Sequence, residues 1–322
     1  MTQAPTPTAD TVRRLVRTLI RDGTQDASGP EVRPVDESGR RTTWWVGDRH
    51  VLRLAPDPEA SVRLRREARL RDLVRAHVPV AVPACVAHGE WAPGLACTLD
   101  TLLPGGSGDR EDVSAVGEAD LAGLLTGLRD VPARQAEVLG VPRTAPRSLE
   151  SLRRAAVRAA ERLARADEFD PVRMQQLAPP AAVQLAVQPG GAVLVHHGLT
   201  GDHLVVSGEG RVRGALGWGF AILGDPAEDI AGLALAVGSP AAVRAATLAG
   251  YGARPCLRGL WLARCDAVLR LAAHLDGHET AVPLPLLRTQ LRHAWEAILL
   301  ERVTELRGED LEPGPQEEDE AY

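Results

Sequence analysis

The sequence predicts an α+β protein of two lobes, a small β-rich N-terminal lobe and a larger, mainly helical C-terminal lobe. Two observations predict it. Short alternating runs bounded by turn residues crowd the first hundred residues, and helical periodicity dominates afterwards. That periodicity is interrupted once, by a hairpin signal near residues 204–216. The expected boundaries are 1–104 for a lobe of one helix plus an antiparallel sheet, 105–307 for the helical lobe, and 308–322 for a disordered acidic tail.

Residues 9–22 place Val12, Leu15, Val16, Leu19 and Ile20 on one helical face, with Gly23 as a stop. Strand-like runs follow at 31–35, 42–46 and 50–54, separated by turns at Ser38-Gly39 and Gly47-Asp48. Residues 58–75 read as a helix. The run 78–88 contains two prolines and reads as an extended connector. Residues 95–103 read as a strand that Pro104-Gly105-Gly106 ends. Helices are expected at 119–129 and 148–166, then short strands at 193–195, 204–206 and 212–216. The Ser207-Gly208-Glu209-Gly210 turn joins the last two. Helices resume at 226–237, 241–251, 257–275 and 284–306.

Composition excludes several classes. All 37 basic residues are arginine, so any site that ordinarily uses a lysine must use arginine or do without. Seven acids and no bases lie in 308–322, which leaves the body nearly neutral, with no basic field for nucleic acid. No apolar run is long enough for a membrane span, and the N-terminal residues lack the pattern of a signal peptide. Cys85, Cys97, Cys256 and Cys265 form no metal-binding spacing and read as buried free thiols, which suits the cytoplasm.

The segment 194–234 reads LVHHGLTGDHLVVSGEGRVRGALGWGFAILGDPAEDIAGLA. Val195-His196, Leu204-Val205-Val206, Gly214, Trp218-Gly219, Gly224-Asp225-Pro226 and Asp229 keep the order and spacing of a known frame. The segment resembles the aminoglycoside phosphotransferase family of the protein-kinase-like superfamily. The resemblance implies a two-lobed kinase-like fold with ATP bound on the N-terminal side of an inter-lobe cleft. It assigns Arg53 to phosphate contact and Glu67, fourteen residues on, to holding that cation. It sets a phosphate-covering turn at Ser38-Gly39-Arg40, and the hinge at 101–106.

The departures fall on the chemistry. Laid without gaps, the acceptor-activating Asp falls on Gly198, the magnesium-binding Asn on His203 and the second Asp on Gly217. A one-residue shift moves the first to Leu199, which also lacks a carboxylate. These losses speak against magnesium, and no metal site is assigned. Asp202 is the candidate substitute ligand. His196, His197 and His203 invite a zinc reading, but His196 matches a structural histidine of the family. The expectation is a pseudokinase that binds a nucleotide, a small molecule or a partner protein in the cleft. An active phosphotransferase on a hydroxylated small molecule or peptide, using non-standard residues, stays open. So does a scaffold with a collapsed cleft.

Overall fold

The structure is a computed structural model of the chain, and it describes residues 6–20, 31–35, 42–186, 192–278 and 282–298. The turn at Ser38-Gly39-Arg40 and the acidic tail lie outside these residues.

The N-terminal lobe begins with α1 (Ala9–Leu19), followed by β1 (Val32–Pro34), β2 (Thr43–Val46) and β3 (His50–Leu54). Helix α2 (Pro58–Arg75) comes next, then β4 (Cys85–Ala92) and β5 (Leu95–Thr101). The five strands form one antiparallel sheet in the order β1-β2-β3-β5-β4. Its two faces divide by the two-residue period of the strand. Leu52, Leu54, Cys97 and Leu99 pack with Trp44 and Val46 against Val12 and Val16 of α1. Val51, Arg53, Thr98 and Asp100 alternate with these residues, and Arg53 and Asp100 reach α2. Asp57 caps α2, its side chain accepting from Ala60 N–H at 2.7 Å, and Pro58 takes the first turn, where no N–H is needed.

The stretch expected to be a connector over 78–88 is strand from Cys85 onward. Pro79 and Pro83 both precede the paired region. β4 is an edge strand with two register irregularities, so its alternation is weak in sequence.

The helical lobe opens with the short strand β6 (Gly106–Ser107) and continues through α3 (Ala115–Asp130), α4 (Ala133–Val138), α5 (Leu149–Arg165) and α6 (Pro179–Gln184). The chain then forms β7 (Val193–Val195), β8 (Leu204–Val206), β9 (Val212–Ala215) and β10 (Ile222–Gly224). Helices α7 (Ala227–Val237), α8 (Ser239–Leu248), α9 (Ala253–Leu275) and α10 (Leu284–Ala294) complete it. β8 pairs with β9 as the expected hairpin, with β6 on its other side, and β7 pairs with β10. Leu70 and Val74 of α2 join the core of this lobe, so α2 bridges both lobes. Ala81 adds a second bridge by exchanging backbone hydrogen bonds with Arg213 and Ala215. Cys85, Cys97, Cys256 and Cys265 are free. No helix among the described residues is long and apolar enough to cross a membrane.

The last helix ends at Ala294, well short of residue 306. The Ala294 carbonyl accepts from Ser239 Oγ at 3.0 Å and from Arg264 Nε at 3.2 Å, which takes the acceptor a further turn would use. Trp295 then turns inward, against Phe169 and beneath the guanidinium groups of Arg173 and Arg264.

Gly123 and Gly127 lie one turn apart on α3, under the turn that follows α2. A Cβ on Gly127 would stand 2.5 Å from the His77 carbonyl oxygen, and one on Gly123 would stand 2.7 Å from Pro79. Helix propensity alone favours alanine over glycine by about 1 kcal/mol. Here overpacking outweighs it, so Gly127→Ala is expected to lower stability by roughly 1–3 kcal/mol. Urea unfolding measures this, and a stabilised variant would show that α3 does not hold the turn so closely.

Candidate functional site

Arg53 points from β3 into the cleft between the lobes. Its Nη1 lies 2.8 Å from Glu67 Oε1, so the pair that the resemblance implies is formed. Its Nε donates to Asp100 Oδ2 at 2.9 Å. Asp100 also accepts from Arg71 Nη2 at 2.7 Å and from the Thr98 hydroxyl at 3.1 Å. Glu67 and Arg71 lie one helical turn apart on α2, and with Asp100 they are buried. Burial alone would lower the Arg53 pKa, but Glu67 and Asp100 outweigh it and raise it above its ordinary value. Arg53 Nη2 and Arg71 Nε are enclosed without a hydrogen-bond partner.

These groups floor a cavity of about 250 Å³. Val51 and Trp45 of the sheet, Thr101, Leu102 and Leu103 of the hinge, and Leu216, Gly217 and Trp218 of the helical lobe line the rest.

Below the cleft, the loop after β7 is held by a buried carboxylate. Asp229, in the first turn of α7, accepts from the backbone N–H groups of His196 (2.8 Å) and His197 (2.9 Å). Burial pushes its carboxyl up to about 7, against the two N–H donors that hold it down. His196 is fully buried. Its Nε2 donates to the Leu216 carbonyl at 2.7 Å, and its ring meets Trp218 edge-on at 4.5 Å between centroids. Burial and the neighbouring His203 pull its pKa down to about 3, so it is neutral. His197 adopts φ of 62°, in the left-handed region that few side chains enter.

The three positions that lack carboxylates come together. His203 Nδ1 donates to the Gly198 carbonyl at 2.6 Å, and a Cβ on Gly198 would lie 3.4 Å from the same nitrogen. Gly217 has φ of 80°, and a Cβ there would lie 2.5 Å from His203 Cδ2 and Nε2. The imidazole therefore occupies the space that a side chain on Gly217 would need. Leu199 is fully buried in the helical core and offers nothing to the cleft, which disfavours the shifted register.

Asp202 is largely exposed. It accepts from the Thr200 hydroxyl at 2.6 Å, lies 3.8 Å from His203 Nε2, and does not line the cavity above Arg53. Among the described residues, no three His, Cys, Asp or Glu side chains form a group that could hold a metal ion. Asp225 serves the fold rather than the cleft. It pairs with buried Arg258 and accepts from Ala227 N–H at the start of α7.

A second cavity, of about 230 Å³, is lined in part by Gly198. His197, Thr200, Arg147, Glu228, Asp266 and Arg270 line it, and Asp202 does not. Arg147 is gripped by Glu228 (2.6 Å) and Asp266 (2.8 Å). Gly217 lines the first cavity and Gly198 the second, and the His203 ring touches both glycines.

Sequence reasoning missed Asp100, Arg71 and the Arg147 cluster. Asp100 could have been noticed as the one acid within the apolar run 95–103. Arg71 could not, because it is one of six arginines on α2. Gly39, placed in the phosphate-covering turn, lies outside the described residues.

Two measurements test this geometry. Gly217→Asp should cost about 2–5 kcal/mol, from left-handed strain and from the clash with His203. In a His203→Ala background the cost should fall by at least about 1 kcal/mol, and a double-mutant cycle by denaturant unfolding measures the difference. Equal costs would mean that His203 does not fill the site. The second test concerns pH. His196, with its folded pKa lowered, contributes stability that is lost as pH falls below 6.5. Asp229, with its folded pKa raised, contributes stability that is lost as pH rises from 3.8 through about 7. The two slopes oppose each other between roughly pH 4 and 6.5. Asp229→Asn should uncover the His196 slope, so the variant loses about 1 kcal/mol relative to wild type between pH 6 and 5. An unchanged pH profile would remove Asp229 from that balance.

The family model described as "Phosphotransferase enzyme family" matches residues 31–260. No curated protein matches the chain in sequence. Among solved structures, the GDP complex of aminoglycoside 2'-phosphotransferase-IIIa is 17% identical with a TM-score of 0.65, over 94% of this chain and all of that one. The macrolide 2'-phosphotransferase MphH from Brachybacterium faecium is 21% identical with a TM-score of 0.55, over 90% of this chain and 99% of its own. A streptomycin–ATP ternary complex of an aminoglycoside 2''-phosphotransferase is 12% identical with a TM-score of 0.56, over 89% and 96%. At these identities the neighbours establish the two-lobed kinase-like fold, and the match across 31–260 shows that the chain belongs to the phosphotransferase enzyme family.

Proposed function

We propose that this chain is a catalytically impaired member of its family that binds a nucleotide-class ligand in the inter-lobe cleft. The observation that carries the reading is the His203 ring, set between Gly217, which lines the first cavity, and Gly198, which lines the second. Phosphoryl transfer requires the nucleotide and the acceptor to meet there, with metal on the phosphates and a base on the acceptor. Loss of a base costs about 10²–10⁴ in rate. Loss of the hard oxygen ligands costs more, because magnesium is usually bound by one or two carboxylates together with phosphate oxygens. The retained Arg53–Glu67 pair and the enclosed cavity beside the hinge support a ligand of nucleotide class. The nucleotide complexes among the structural neighbours support it too. A partner protein is the alternative occupant. Four free thiols support a reducing compartment, the cytoplasm.

One observation favours a second reading, an active phosphotransferase. His197 is exposed, adjoins Gly198 and lines the second cavity, so it is placed to take a proton from an acceptor hydroxyl. The two readings separate in one experiment. The protein is incubated with radiolabelled ATP and magnesium, alone and with aminoglycoside, macrolide or peptide acceptors, while thermal shift follows binding with and without magnesium. The proposal expects a shift that needs no magnesium, and no transfer. Transfer that His197→Ala abolishes would establish the enzyme instead.

A further inference from the structure

The charges on the floor of the cleft carry a more specific statement, which rests on the proposed nucleotide-class reading. The polar floor of the first cavity holds two cations and two anions, and every one is paired within it. Arg53 serves Glu67 and Asp100, and Asp100 serves Arg53 and Arg71. Glu67, Arg71 and Asp100 are 5%, 2% and 3% exposed, so water screens them little. The Arg53 donors are committed to carboxylates or, at Nη2, enclosed.

A polyphosphate entering this space meets Glu67 and Asp100 at much the same range as the cations, so repulsion offsets attraction. In a phosphotransferase the balance is tipped by magnesium, whose ligand positions are here His203 and Gly217. The remaining lining is largely apolar or aromatic, from Trp45, Val51, Leu102, Leu103, Leu216 and Trp218. At about 250 Å³ the cavity is slightly below the usual range for small-molecule sites, roughly 300–1,000 Å³, and suits a compact ligand.

We infer that the cleft selects an uncharged, nucleoside-sized aromatic ligand over the corresponding nucleoside polyphosphate, and that Asp100 is the residue that sets this preference. Asp100 binds two arginines at once, so it cancels the positive charge that would otherwise face the phosphates.

The test is calorimetric titration of the full chain with adenosine, guanosine, ATP and GTP, with magnesium chelated. One nucleoside of the two is expected to bind wild type at least as tightly as its own triphosphate. Asp100→Asn should shift the triphosphate-over-nucleoside affinity ratio towards the triphosphate by about tenfold or more. If that variant does not fold, the salt dependence of wild type decides. Triphosphate affinity should then be flat between roughly 50 and 300 mM salt, and a steep fall would overturn the inference. A wild-type preference for triphosphate of tenfold or more would also overturn it while leaving the nucleotide-class reading intact. An unchanged ratio in a folded Asp100→Asn variant would remove Asp100 as the selector. Binding of none of the four probes would overturn the nucleotide-class reading itself.

Discussion

The geometry of the cleft depends on one buried carboxylate. Asp229 takes the backbone N–H groups of two consecutive residues, His196 and His197, and is itself fixed in the first turn of α7. Burial pushes its carboxyl up while the two N–H donors hold it down, and those two hydrogen bonds offset one unfavourable backbone conformation at His197. From this anchor the His196 ring reaches the Leu216 carbonyl and the Trp218 face. One side chain thus ties the loop, and through it the hairpin, to the helical core. The relative positions of Gly198, His203 and Gly217 follow from the backbone that this anchor holds.

Charge is managed locally throughout, in a chain whose only strong base is arginine. A lysine at position 53 would offer a single ammonium. The planar guanidinium offers separated donors, and it serves Glu67 with Nη1 and Asp100 with Nε. Arg147 does the same between Glu228 and Asp266 on the far side of the loop. Both cavities are therefore bordered by arginines already shared between two carboxylates. Such clusters hold elements in register, and they leave little net charge for a ligand to exploit.

Much of this was legible in the sequence, for identifiable reasons. Strand β3 alternates cleanly, so Arg53 faces away from Leu52 and Leu54, and the family resemblance marked Glu67, fourteen residues on, as its partner. The hairpin signal at 207–210 was equally local. What failed to show was anything decided by a distant partner. Val62 is apolar yet 63% exposed on α2, while the charged Glu67 and Arg71 of the same helix are buried. Their burial is permitted by Asp100 and Arg53 on the sheet that α2 faces. The early end of α10 likewise depends on Ser239 and Arg264, far away in sequence. The replacement of a carboxylate by glycine was visible at 217, but nothing local revealed that a histidine fourteen residues earlier occupies the space.

That occupancy has a consequence for any attempt to rebuild the site. The ring at 203 stands where a side chain on 217 would go, so the two positions are coupled. A carboxylate placed at 217 meets the imidazole unless the ring is removed or turned aside. The two residues therefore form a single unit of change, and neither can be redesigned without the other.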